Sequence, residues 1–322
     1  MRKPKIHNRI GCSVATLPIC ALLAAALWWW PQGAYSHGYA VSLLLVMFTA
    51  YIVAETNNTN MLIRTRSRML SSVWLFGAAC IASFHPFQPT VLAALCLAIS
   101  HYTLFRTYQK IEPVVDIFHS FVVLSFGALV FPPMVLFAPF FIWYLLVFMR
   151  SLTFRGFFAA LVGFVLPFWF WVGWLLWHQD LTPLIEWWGR LTSMVSPNHA
   201  VLDPANYNIP NLISYAPFIL LALLAIWTSV YYLLNSYDDK IRTRMMLYIY
   251  VFQSALILLF SIVTSSFQQP LPLLLLCLSP LVAHYFTLRN TWVALIVFIL
   301  TLLAFVALAS YPFVCKTLVR QA

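Results

Sequence analysis

The chain is short of charge. Of its 322 residues only 8% are Asp, Glu, Lys or Arg, while 63% are hydrophobic. A water-soluble domain of this size carries about a quarter charged residues, so that class is excluded. Acids are scarcest, eight against 18 Lys and Arg, for a net charge of +10. Such a balance would suit nucleic acid, but the cations are scattered through short gaps instead of gathered on one face. No nucleic-acid partner is expected. Paired cysteines are also lacking. Cys12, Cys20, Cys80, Cys96, Cys277 and Cys315 form no Cys-x-x-Cys, and five of them fall inside apolar runs. They read as reduced packing residues. There is no Walker loop, dinucleotide glycine pattern, His-Glu-x-x-His or Gly-x-Ser-x-Gly. No cofactor and no metal is expected.

What the chain has is apolar length. Runs of roughly 17–25 residues, enough to cross ~30 Å of hydrocarbon as helix, follow one another with short breaks. The pattern predicts an all-α polytopic transmembrane bundle, a single domain over 1–322, with about eleven spans. They are 10–30, 37–54, 69–84, 88–105, 112–130, 133–149, 156–177, 212–234, 245–264, 270–287 and 291–314. Cations fall into alternate gaps. Fifteen of the 18 lie in the N-terminus or in even-numbered gaps; Arg190, Lys316 and Arg320 do not. The positive-inside rule then puts the N-terminus and the even gaps in the cytoplasm of a bacterial inner membrane. Lys316 and Arg320 run against that rule at the other end. The first run follows a basic N-terminus but ends in Trp28-Trp29-Trp30-Pro31, with no small-residue cleavage site, and is expected to be a retained span.

One long gap stands out, the external loop 178–211. Thr182 suits an N-cap and Pro183 a first helical residue. Leu184, Trp187, Trp188, Leu191, Met194 and Val195 then recur at helical spacing, with Glu186 and Arg190 at i, i+4. This predicts a short amphipathic interfacial helix with its tryptophans at headgroup level. An internal repeat is also suggested, 37–106 against 215–289. Ile63-Arg64-Thr65-Arg66 and Ile241-Arg242-Thr243-Arg244 precede corresponding spans, and Cys96 with His101-Tyr102 matches Cys277 with His284-Tyr285.

Two groups of residues could carry chemistry. The external loop gathers His178, Asp180, Glu186, Arg190, His199 and Asp203. Arg190 could hold a phosphate; His199, Glu186 or Asp203 could deprotonate an acceptor hydroxyl. These four are the expected catalytic residues, with Trp187 and Trp188 against the substrate. The second group is Glu112, Asp116 and His119 at the start of the fifth span, with Asp116 and His119 on one helical face. An ionisable group within a membrane is costly unless paired or functional. Arg64, Arg66 and Arg68 could grip a lipid phosphate. Asp116, His119, Arg64 and Arg66 complete the expected substrate-binding set.

Asn57-Asn58, Arg64-Thr65-Arg66, His85-Pro86-Phe87, Asp116-Ile117-Phe118, and Gly163 with Pro167 resemble an uncharacterised multi-pass inner-membrane protein family of Bacteroidota. That resemblance covers about a third of the chain and implies no activity. In architecture alone, a long external loop after the seventh span resembles envelope glycan polymerases and O-antigen ligases. The resemblance implies a glycan transferase or polymerase of the cell envelope, acting on a polyprenyl-linked glycan at the outer face. Its partners would be membrane lipids and an envelope protein. The first external loop, from Pro31 to Ser36, lacks the acid usual in one class of such transferases. A non-enzymatic accessory or scaffold subunit and a secondary transporter are the alternatives.

Overall fold

A computed structural model describes residues 5–29, 37–65, 67–195, 209–264 and 266–321. Among them there is helix and no strand. The helices are α1 (Ile6–Cys12), α2 (Thr16–Trp29), α3 (His37–Asn60), α4 (Met69–Cys80), α5 (Pro89–Phe105), α6 (Val114–Val130), α7 (Phe137–Tyr144), α8 (Phe154–Trp177), α9 (Thr182–Val195), α10 (Ile209–Asn235), α11 (Ile241–Thr264), α12 (Leu271–Leu288) and α13 (Trp292–Gln321).

All eleven expected apolar runs are helical, but they are not equal. Seven described segments are long and apolar enough to cross a membrane: α3, the run Pro132–Met149 that contains α7, α8, α10, α11, α12 and α13. The first expected span is broken. α1 and α2 meet at 89°, and they make an eighth candidate only if counted together. α4, α5 and α6 are shorter, at 12, 17 and 17 residues. Prolines explain two of these boundaries. Pro89 opens α5 as its first residue, where its missing N–H costs nothing. Phe131 ends α6 in extended backbone because Pro132 follows it. α4 spans only ~18 Å, and ten of its twelve residues are buried.

The bundle is built around α12. Every residue from Leu271 to Thr287 is buried, as expected of a helix that is apolar on all sides. α4, α5, α10 and α11 surround it, with α1 and α13 beside them. α6 and α8 form an outer pair joined to the core through α5. α8 turns Phe158, Trp169, Phe170 and Trp174 outward, as a helix facing lipid or a partner does.

Hydrogen bonds from buried side chains to backbone carbonyls tie the helices together. Trp74 donates to Val46 at 3.0 Å, Ser120 to Ser100 at 2.9 Å and Ser125 to Phe164 at 2.6 Å. Each is worth ~0.6–2 kcal/mol in an apolar bundle. Where two backbones approach most closely, side chains are absent. A Cβ on Gly163 of α8 would lie 2.7 Å from the Phe118 carbonyl oxygen of α6. Pro167, Pro217 and Pro280 lie within α8, α10 and α12.

Candidate functional site

The segments between helices that carry the cations come together on one face. Asn8 of α1 donates to the Thr287 carbonyl at 2.9 Å and His7 to the Arg289 carbonyl at 2.7 Å. Thr243 donates to the Met61 carbonyl and Arg242 to Asn60 Oδ1 at 2.9 Å. Arg242 also sits over the Tyr108 ring, and Ser151 reaches Thr107 at 3.1 Å. The two Ile-Arg-Thr-Arg segments are therefore neighbours in space. This face carries an excess of arginine and one buried carboxylate.

That carboxylate is Asp239. α10 ends at Asn235, one tight turn follows through Asp238, and Asp239 is extended just before α11 begins. Its side chain is 1% exposed. It accepts a hydrogen bond from Arg64 Nε at 2.7 Å and one from His284 Nε2, in the last turn of α12, at 2.8 Å. Burial pushes the Asp239 carboxyl up, but His284 and Arg64 more than offset it and hold it below the ordinary carboxylate value. With Asp239 ionised, the proton of a neutral His284 ring belongs on Nε2, which leaves Nδ1 as the basic nitrogen.

Guanidiniums and carboxylates share the surroundings. A pocket of about 150 Å³ is lined by Arg64, Tyr232, Asn235, Asp238, Asp239, His284 and Arg289, among others. Tyr232 stands edge-on to the His284 ring at 5.1 Å, with its buried hydroxyl beside Asp239. Arg289 donates to Asn235 Oδ1 at 3.0 Å and lies over Tyr231. Arg244 keeps a buried Nε without an acceptor. A carboxylate-backed imidazole beside several guanidiniums can move a proton and hold negative charge at one place.

The residues expected from sequence fare unequally. Arg64 belongs to this cluster; Arg66 lies outside the described residues. His199 and Asp203 also lie outside them. Arg190 and Glu186 bond to each other at 3.2 Å with side chains 62% and 59% exposed, so they pair at the surface of the bundle. α9 is present as a 14-residue helix, docked by Trp187, whose indole donates to the Ala128 carbonyl at 3.2 Å and packs on Phe168. Trp188, expected on the same face, is 62% exposed. The start of α9 differs by one residue. Thr182 is helical, and its N–H is accepted by Asp180 Oδ1 at 2.9 Å, so the acid and not the threonine serves the helix end.

Asp116 is tied to Lys110 at 2.8 Å and to Arg106 at 3.5 Å. His119 is exposed and makes no hydrogen bond to it. His101 is wholly buried against Phe105, Phe141 and Tyr250, away from any carboxylate. Among the described residues no three His, Cys, Asp or Glu side chains gather as a metal site.

Asp239, Tyr232 and Arg289 escaped the sequence reading. A signal was there: Asp238-Asp239 is the only adjacent acidic pair in the chain, set just before the second Ile-Arg-Thr-Arg. An acid among cations is read as a solvated loop unless its partner, here 175 residues away, is known. No family model and no curated protein matches this chain.

Proposed function

We propose that this protein is an integral membrane protein of the bacterial envelope that transfers a group to or from an anionic, membrane-borne substrate on its basic face. His284 is the acid–base group, Asp239 orients it, and Arg64 and Arg289 hold the anion. The single observation that carries the reading is Asp239 bridging His284 and Arg64 at the edge of a pocket. The reaction class is that of the glycan transferase expectation, but its centre moves from the external loop to the basic face. Arg190 and Glu186 neutralise each other in water, where an exposed pair is worth little. Asp239 is buried and paired on two sides, the setting in which a charge is costly and a functional role is favoured.

The chemistry is general acid–base catalysis. Nδ1 of His284 takes a proton from an acceptor hydroxyl while Nε2–H stays on Asp239. The guanidiniums stabilise charge developing on the leaving phosphate. The test is complementation of a deletion strain, read by its lipid-linked envelope intermediates. His284→Gln and Asp239→Asn, at normal abundance, leave intermediates accumulated, while Arg190→Ala and Glu186→Gln restore the wild-type profile. The reverse pattern returns the site to the external loop.

A proton-coupled secondary transporter is the second reading, favoured by one feature. The His284–Asp239 pair joins the α10–α11 connection to the enclosed helix α12. Solute flux that needs a proton gradient and stops in Asp239→Asn, with unchanged envelope intermediates, would decide for it.

A further inference from the structure

Two more cavities are present, one sharing a lining residue with the His284 pocket and the other sharing one with the first. The first, about 1040 Å³, is lined by Ser13, Asn57, Asn58, Arg64, Thr65 and Arg68, among others. None of its described lining residues is acidic. Arg68 is exposed and pairs with no described carboxylate. Arg64 lines this cavity and the His284 pocket together. The second cavity, about 380 Å³, runs between α2, α4, α12 and α13. Its walls include Leu23, Val73, Phe76, Phe298, Leu302 and Phe305, and the polar side chains among its described lining residues are Ser13, Thr16, Ser72, Thr301 and Cys20. Ser13 belongs to both cavities. It sits in the break where α1 and α2 meet at 89°.

We infer that these two cavities form one site for a phosphate-headed membrane lipid, its head against Arg64 and Arg68 and its tail in the apolar groove. A basic cavity alone would accept any small anion. A groove alone would accept any acyl chain. Joined at the helix break, they match a molecule that is anionic at one end and hydrocarbon at the other. The break is what makes the match. The inference deepens the proposed function, because it names the class of substrate whose phosphate reaches Arg64 beside Asp239 and His284. It rests on that reading only for what the dyad then does.

The experiment is native mass spectrometry of the detergent-purified full chain, equilibrated with equimolar dioleoyl phosphatidic acid and dioleoylglycerol, which share tails and differ in the phosphate. Wild type retains phosphatidic acid about tenfold over the diacylglycerol. Arg68→Glu brings the two to parity, and the milder Arg68→Gln loses part of the preference; both stay monodisperse. Leu302→Trp, which fills the groove, lowers retention of both lipids. Inorganic phosphate does not displace the lipid. Equal retention by wild type, an unchanged preference in Arg68→Glu, or displacement by inorganic phosphate overturns the inference. Asp239→Asn separates the two proposals. Phosphatidic acid still preferred while complementation persists sinks the dyad chemistry alone. No preference for phosphatidic acid while Asp239→Asn fails to complement sinks the lipid site alone.

Discussion

At the scale of single residues, the charge that matters is the one removed from water. Asp239 is worth keeping buried only while both of its donors are present, because breaking one side of such a cluster leaves an uncompensated charge. Folding lowers its carboxyl below the unfolded value of 3.8. Its stabilising effect is therefore complete above about pH 4 and drains away as the pH falls through the folded value. Thermal unfolding in detergent, followed from about pH 6 to about pH 3, should show a steeper loss for wild type than for Asp239→Asn. Equal slopes would mean that other carboxylates set the acid limit. The same residue explains why sequence reading put the chemistry elsewhere. Arg190, Glu186, His199 and Asp203 are close in the chain, so they look like a site. Asp239 finds Arg64 and His284 only through the packing of three distant segments. For turnover, His284→Gln should cost about 10²–10⁴-fold in rate with little change in protein yield, which is the range for loss of a general base. A fall of less than tenfold in product formation by membrane vesicles would exclude that role.

At the scale of helices, periodicity was a good guide and length was not. Leu184, Trp187, Leu191, Met194 and Val195 form the half-buried face of α9, as their spacing predicted, because a helix docked by one face leaves that spacing in the sequence. α4 could not be measured in the same way. Its apolar run continues through Ile81 to Phe84, but the chain leaves the α-helix at Ile81 and makes a tight 3-10 turn over Ala82–Phe84. The turn is held by one distant and one local bond: Ser42 of α3 donates to the Phe84 carbonyl at 2.6 Å, and His85 donates back to the Ala79 carbonyl at 3.0 Å. Close helix pairing is equally hidden. Gly163 looked like one of nine glycines, yet the α6–α8 contact needs it bare. Gly163→Ala should force the Phe118 carbonyl to move and cost about 1–3 kcal/mol, read as a lower midpoint of unfolding in detergent. Gly173→Ala on the same helix meets nothing within 4 Å and should be neutral or slightly stabilising by helix propensity. Equal effects of the two would show that α6 and α8 are not held at that distance.

At the scale of the molecule, the distribution of cations is the strongest long-range statement in the chain. The alternate-gap rule says nothing about contacts, yet it grouped the segments that hold Arg64, Lys110, Arg155, Arg242 and Arg289. Those segments touch one another through Arg242 on Asn60 and Tyr108, Arg155 toward Glu112, and Asn8 on Thr287. Two properties of one arrangement agree here: side of the membrane, inferred from charge, and proximity, fixed by packing. A wrong helix register would have scattered these groups over both ends of the bundle. The positive-inside rule would put the basic face in the cytoplasm, and that expectation makes a prediction. In a background with the six native cysteines replaced, Thr65→Cys on the basic face and Gly189→Cys on α9 are both exposed. An impermeant maleimide should label Gly189→Cys in intact spheroplasts and Thr65→Cys only after permeabilisation. The opposite result would place Asp239 and His284 toward the outside. A reaction there would have to use substrates already carried across the membrane. The geometry of the Asp239 cluster would stand unchanged, and the phosphate-headed lipid would have to enter from the outer leaflet.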